Sequence, residues 1–319
     1  MKVAIVGGGT SGLYLAWKLS QKGEEVVVFE KKKKIGKEVC SGLFSERILE
    51  FIPESRGLVE NQIRFCKIHF PKRTIFLQFS KRFLVMNHLK LDETLFHLAK
   101  KEGAKILLGS QIKKEDFGEL EKKFDRILGA DGPFSVTRKY LKLKNPSLRL
   151  AFQGFIGFSN DLEGLIDKET VETWPTRNGF IWKIPRKEKI EYGIIERIGE
   201  SKKFFEEFLK KRGLKLKNLR SAFVPQGMVF LKNPKITLCG DALGLTKPWS
   251  GGGVIWQIMA NNLCLKNFPD FLKYQKGLKR FFLKKIIFSK VITRLVYFFG
   301  FYFPWIFPKK IKVESDFLL

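Results

Sequence analysis

Residues Gly7-Gly8-Gly9-Thr10-Ser11-Gly12 spell GxGxxG, and Glu30 follows eighteen residues after the last of these glycines. That spacing suits a dinucleotide pyrophosphate. Gly7 permits a tight turn, Gly9 lets the backbone approach a phosphate, and Gly12 lets a helix pack close to a strand. A helix starting at Thr10 and Ser11 turns its free N–H groups and positive dipole end toward the anion. Glu30 can accept from a ribose hydroxyl, and its charge argues against a 2′-phosphate at this site. NAD and FAD both satisfy the pattern.

Two later turns narrow the choice. Gly129-Ala130-Asp131-Gly132 follows one short apolar run. Gly240-Asp241-Ala242 follows another and leads through Pro248 into Ser250-Gly251-Gly252-Gly253. Three ordered phosphate- and sugar-type sites along one chain suit an extended flavin dinucleotide better than a nicotinamide one, although each Gly-Asp pair alone also reads as a turn.

The elements that must position these turns are legible from periodicity. Lys2–Val6 and Glu25–Phe29 are short apolar runs flanking a helix marked by Leu13, Ala16, Trp17 and Leu19 and closed at Lys22-Gly23. Such a unit is a right-handed parallel crossover. The parallel sheet resumes at Lys105–Leu108, Arg126–Leu128 and Ile236–Cys239, with helices over Leu91–Lys101 and Gly252–Leu265. Ile63–Phe70 and Thr74–Phe79 alternate like a hairpin. Ala151–Phe158, Thr170–Trp174, Phe180–Ile184 and Ile190–Glu196 alternate likewise between Gly, Pro and Asn signals, as in an antiparallel sheet. The expected fold class is α/β: a doubly wound Rossmann-type FAD domain over 1–62, 91–148 and 233–268, with an inserted antiparallel substrate domain over 63–90 and 149–232. A C-terminal helical segment over 269–319 completes the chain.

The ordered trio GGGTSG, GADG and GDALGLTKPWSGGG resembles the FAD-dependent family that includes p-hydroxybenzoate hydroxylase, and within it the geranylgeranyl reductases. The resemblance implies FAD held by Gly7, Gly9, Ser11, Gly12, Glu30, Asp131, Gly132, Gly240, Asp241, Gly251, Gly252 and Gly253. Asp241 would contact the ribityl chain. Phe180-Ile181-Trp182-Lys183-Ile184-Pro185, followed by Glu191-Tyr192-Gly193-Ile194, is similar to the YxWxFP element those reductases place over a prenyl cavity, with Phe180 in place of tyrosine and Ile184 in place of phenylalanine. It is also similar to the WxWxIP element of flavin-dependent halogenases.

On this resemblance Phe180, Trp182 and Pro248 are candidate substrate-binding residues, and Cys40 and Trp182 candidate catalytic ones. The residue-level alternative for Trp182 is a core tryptophan on a half-buried strand. Cys40-Ser41-Gly42 is similar to a cysteine-glycine element near the flavin ring, where a thiol could orient substrate or relay a proton. Cys66, Cys239 and Cys264 read as ordinary buried cysteines. His88 stands four residues before Asp92, where related flavoproteins carry arginine, and reads as a surface or helix-cap histidine. Lys34 and Lys37 are candidates to reach FAD phosphates or to form a solvated face.

Composition sets the partners. The 319 residues are 44% hydrophobic with 32 Phe, too much buriable surface for a disordered chain, and 60 Lys+Arg against 32 Asp+Glu leave a net charge of +28. Four scattered cysteines, three histidines without metal-ligand spacing and no export signal fit a reduced cytoplasmic setting and no metal. Lys276–Phe299 reads as a helix whose Lys276, Lys279, Arg280, Lys284, Lys290 and Arg294 fall within roughly 140°. The run LVYFFGFYFPWIF is thirteen residues, short of a membrane span and interrupted by Pro304. An anionic membrane surface is therefore an expected partner, and the chain is expected to be peripheral to it.

The resemblance implies reduction of isoprenoid double bonds of a geranylgeranyl-type (phospho)lipid by hydride from reduced FAD, with NAD(P)H or ferredoxin as electron donor. A flavin-dependent hydroxylase or halogenase is the enzymatic alternative. RNA binding through the basic charge is the non-enzymatic one, and without RNP-type or zinc-knuckle patterns no nucleic acid is expected.

Overall fold

The computed structural model describes residues 1–36, 39–157 and 167–316. Lys37 and Phe158, the last residue of one expected strand, lie outside them. The chain divides into two compact units, Met1–Glu38 with Leu89–Ser147 and Pro225–Ile286, and Val39–His88 with Leu148–Val224 and Ile287–Leu319.

The first unit is built on five parallel strands in the order Ile236–Leu238, Arg126–Gly129, Lys2–Val6, Glu25–Glu30, Lys105–Leu108. Val3, Ala4 and Ile5 in the middle strand are wholly buried, as a sheet covered on both faces requires. The helix Thr10–Ser20 follows at once, and Gly23 at φ +81° ends its connection to the next strand. Tyr14 donates its hydroxyl to Asn262 at 2.7 Å, tying this helix to the late helix Val254–Asn267.

The second unit is a nine-stranded sheet. Its order is Lys217–Gln226, Ser147–Gly157, Lys189–Arg197, Phe180–Pro185, Thr170–Pro175, Val59–Phe70, Arg73–Met86, Lys310–Val313, with Leu43–Ser45 also paired to Arg73–Met86. The expected hairpin is present and longer than its alternation suggested, turning at Phe70↔Arg73. Most pairings are antiparallel, but Val59–Phe70 runs parallel to Thr170–Pro175, and Lys310–Val313 parallel to Arg73–Met86. These two ladders join strands distant in sequence, so local alternation carries no sign of their direction.

One sheet face carries Ile181, Tyr192 and Ile194 under the helix Ser201–Lys211. That helix was not anticipated among the strand-like stretches. Phe204, Phe205 and Phe208 supply its apolar stripe, and burying Phe205 and Phe208 contributes about 1.5–3 kcal/mol each. The opposite face gathers Ile63, Cys66, Val85, Val171, Trp182, Ile184 and Ile195.

The C-terminal helix runs from Phe271 to Tyr302, longer at both ends than Lys276–Phe299, and passes through Gly277 against Leu263 and Gly300 against the Phe70 ring. The chain after it returns to the sheet as the strand Lys310–Val313. Among the described residues no helix is long and apolar enough to cross a membrane.

Candidate functional site

In the first unit the three glycine turns meet at the carboxyl ends of adjacent strands. Gly7 has φ +109°, and a Cβ there would lie 2.3 Å from the Ala130 carbonyl, so the first turn rests directly on the second. Ala130 N–H donates to the Val6 carbonyl at 2.8 Å, and Cys239 N–H to the Gly129 carbonyl at 2.8 Å. Gly240, at φ +60°, faces Ser11: a Cβ would stand 2.8 Å from the serine hydroxyl. The sequence spacing of more than a hundred residues between turns is thus closed by parallel ladder pairing.

Each predicted cofactor residue has a definite place. A Cβ on Gly12 would lie 2.0 Å from the Gly7 carbonyl, the close helix–strand approach expected of the third glycine, whereas one on Gly9 meets nothing within 4 Å. Glu30 accepts from Gly8 N–H at 2.6 Å and from Lys32 N–H at 2.8 Å, which pins the carboxylate beside the turn while leaving it lone pairs for a ribose. Asp131 accepts from the N–H and hydroxyl of Thr137 through one oxygen. Its other oxygen and the Ser11 hydroxyl are buried without a hydrogen-bond partner among the described residues. Asp241 accepts from Gln257 at 2.7 Å. Gly132 opens onto free space, and Gly251, at φ +69°, donates its N–H to the Lys247 carbonyl.

This arrangement fits FAD. The helix N-terminus at Gly9, Thr10 and Ser11 would take the pyrophosphate, Glu30 the ribose, and Asp131 and Asp241 hydroxyls farther along. An unmatched hydroxyl and an unmatched carboxylate oxygen in one cradle are what a polyhydroxylated, phosphate-bearing ligand would satisfy.

Two supports escaped the sequence reading. Arg138 is fully buried and bolts two turns together, donating to the carbonyl of Pro133, just after the GADG turn, and at 2.6 Å to the Ala242 carbonyl. Burial pushes its guanidinium down, while Asp131 and Asp241 pull it back up. Nothing distinguishes Arg138 from Lys139 beside it in sequence. Thr10 donates to the buried Asp92 at 2.6 Å, fixing the first helical turn. Gln257 and Asn261, by contrast, were findable: two amides four apart in the largely apolar stretch Val254–Leu265 share one face. Asn261 reaches the Ser11 carbonyl at 3.5 Å.

In the second unit Trp182 is buried in the sheet core, its ring against Gly193, where a Cβ would approach within 2.2 Å. Its indole N–H donates to the buried Glu191 at 2.9 Å. Phe180 lies beside it, ring centroids 6.0 Å apart. Arg186 donates to Glu191 at 2.8 and 3.0 Å, to Glu60 at 2.8 Å, and to the Ser41 carbonyl at 2.6 Å. Burial works against the guanidinium's charge, but Glu191 and Glu60 outweigh it and hold its pKa above the ordinary value. One hydrogen-bonded chain therefore runs from Trp182 through Glu191 and Arg186 to the Cys40-Ser41-Gly42 loop. Gly42 could be no other residue without distortion, since a Cβ would lie 1.9 Å from the Met86 carbonyl.

Cys40 is half-buried and the other three thiols are buried, Cys66 being pushed up to about 12 by desolvation. Pro248 is buried and belongs to the first unit, whereas Phe180 and Trp182 belong to the second. His88 is no surface residue: it is buried at the first position of the helix His88–Lys101, its ring edge 5.6 Å from Phe44. Lys34 is exposed.

Residues 5–43 match the model of the NAD(P)-binding Rossmann-like domain family. A digeranylgeranylglycerophospholipid reductase of Methanosphaera stadtmanae is 24% identical over 79% of this chain and 71% of its own. A kynurenine 3-monooxygenase of Christiangramia forsetii is 26% identical over 79% and 69%. Among solved structures, a geranylgeranyl bacteriochlorophyll reductase-like protein of Thermoplasma acidophilum superposes with TM-score 0.77 at 21% identity, covering 92% of this chain and 86% of that one. A tryptophan 6-halogenase of Streptomyces toxytricini gives 0.72 at 15%, covering 93% and 78%. The chain thus has the fold of FAD-dependent reductases, monooxygenases and halogenases, and its motif resemblance to geranylgeranyl reductases is met by distant matches over most of its length.

Proposed function

We propose that this chain is a FAD-dependent oxidoreductase that saturates isoprenoid double bonds of a geranylgeranyl-type lipid. The observation carrying the reading is the meeting of GGGTSG, GADG and GDALG in one cradle with the Ser11 and Asp131 oxygens unmatched inside it. The reductase-like matches over most of the chain support the choice of reaction.

Reduced FAD supplies hydride to one alkene carbon when bound. Glu30, Ser11, Asp131 and Asp241 fix the dinucleotide. Cys40 orients the prenyl chain or passes a proton to the second carbon. In the second unit Phe180, with Trp182 packed behind it, would present the apolar surface that meets the prenyl chain and excludes water. Arg186 is a positioning residue, holding the Ser41 carbonyl and thereby the Cys40 loop. Electrons arrive from NAD(P)H or ferredoxin.

The test is anaerobic turnover of a geranylgeranyl lipid with a chemical reductant, followed by mass spectrometry. Products heavier by two hydrogens per bond are expected, and Cys40→Ser is expected to slow turnover without loss of flavin. A strict oxygen requirement with hydroxylated product would replace this reading by the monooxygenase one, which the kynurenine 3-monooxygenase match favours.

A further inference from the structure

The C-terminal helix has a face that the fold leaves uncovered. Phe288, Val291, Leu295, Phe298 and Tyr302 recur at alternating spacings of three and four, which puts them on one stripe, and all are exposed, Phe288 by 54% and Tyr302 by 65%. The stripe continues past the helix into Phe303, Trp305 at 62% and Ile306. The opposite side is firmly seated: Tyr297 donates to the Gly179 carbonyl at 2.7 Å, and Gly300 lies against the Phe70 ring. Arg73 holds the Trp305 carbonyl at 3.2 Å, and the strand Lys310–Val313 locks the chain to the sheet. Eight large apolar side chains are thus held outward on a rigid support, far more than scattered surface apolar residues require.

We propose that this face is a docking surface for an anionic phospholipid bilayer, lying in the interface without crossing it. Three observations select this occupant. Charge is the first: Phe271–Tyr302 contains eight Lys and Arg and no Asp or Glu, and exposed Lys284 lies in line with the stripe and exposed Arg294 beside it, with Lys309 and Lys310 past its end. Cations flanking an apolar face match headgroup phosphates as the face enters the acyl boundary. Residue type is the second, since Tyr302 and Trp305 at the tip carry amphipathic rings suited to the headgroup level. The third is the like charge a second copy would bring. A paired helix of this spacing needs opposite charges along its flanks, whereas here Arg280 and Arg294 would face their own kind and Lys284 falls in the seam itself. The inference stands on this surface and is independent of the chemistry assigned to the flavin cradle.

The test is cosedimentation of the full chain with vesicles of phosphatidylglycerol and phosphatidylcholine in equal parts, against phosphatidylcholine alone. Binding to the anionic vesicles is expected. Lys284→Gln with Arg294→Gln should weaken it about tenfold, and Phe288→Ser with Leu295→Ser and Trp305→Ser at least as much. All five side chains are exposed, and an unchanged melting temperature of the variants certifies the fold. Three results overturn the proposal: no anionic-vesicle binding by the wild type, binding indifferent to both variant sets, or a concentration-dependent dimer in sedimentation that the apolar variants dissolve while vesicles fail to bind. Retention of RNA in place of vesicles at matched salt overturns it as well.

Discussion

Gly9 and Gly12 sit three residues apart and answer to different constraints. A Cβ on Gly12 would lie 2.0 Å from the Gly7 carbonyl, backbone that cannot yield without moving the turn, whereas one on Gly9 has nothing within 4 Å. Gly9 already holds φ −86° and ψ −177°, which alanine adopts freely. Gly12→Ala is therefore expected to lower the melting temperature and abolish flavin uptake together. Gly9→Ala should leave the melt unchanged and weaken flavin at least tenfold, because the methyl occupies the pyrophosphate's approach. Titration of the apoprotein with FAD beside a thermal melt separates the two; equal flavin affinity in Gly9→Ala would remove the pyrophosphate from this turn.

Also at the residue scale, Glu172 accepts from His69 at 2.8 Å and Lys183 at 2.7 Å, with His69 stacked on Trp174. An ionised carboxylate only accepts, so His69 Nε2 carries the proton. The His69 hydrogen bond, with Lys183, holds the Glu172 carboxyl down at about 2 from 4.5. A depressed value means that the fold prefers the ionised form: this stability is complete above pH 4.5 and lost as pH falls through about 2. Glu172→Gln is expected to cost on the order of 2 kcal/mol at pH 7 by urea unfolding, the gap from wild type closing toward pH 2. A gap constant across that range would show that the carboxylate charge contributes nothing.

At the scale of elements, the strand Lys310–Val313 has only four residues and alternates charged with apolar, too short to hold itself. Side chains just beyond its end fasten it. Asp316 is fully buried and accepts from Ser45 at 2.5 Å and from Arg47 at 2.7 Å, while Arg47 also meets Glu314. Asp316→Ala would leave Arg47 half-buried with one partner fewer, at an expected cost of about 2–4 kcal/mol. Hydrogen exchange at Ile311 and Val313 should rise with it; protection retained there would mean that the ladder alone suffices. Such closures are why the sequence yields some elements and withholds others. Lys2–Val6, the GxGxxG turn and Glu30 form one local unit, so their types and spacing already state the geometry. The same holds for the hairpin at Phe70↔Arg73. The bolt from Arg138 to Ala242 and the chain from Trp182 to Ser41 join residues about a hundred or more positions apart, and neither arginine differs in local context from its basic neighbours. The helix Ser201–Lys211 is a different case: its phenylalanine spacing was present, and strand-like neighbours on both sides masked it.

For the molecule as a whole the governing number is the net charge of +28, which sets the sign of the salt response. In a protein of balanced charge, added salt screens attractive surface pairs and costs stability. Here 60 cations outnumber 32 anions, so repulsion dominates whatever pairs such as Lys122–Glu119 return, and compactness is opposed by the protein's own field. Raising sodium chloride from about 0.01 M to about 1 M shortens the screening length from roughly 30 Å to roughly 3 Å. The melting temperature is expected to rise by several degrees over that range, with chloride chosen because sulfate stabilises apolar burial on its own account. Binding to anionic vesicles must move the opposite way, since the same screening separates cation from headgroup. One salt series read by both measurements tests the common cause: a melt that falls with salt would show the excess cations already neutralised within the fold, and vesicle binding that persists at high salt would assign the docking to the apolar stripe alone.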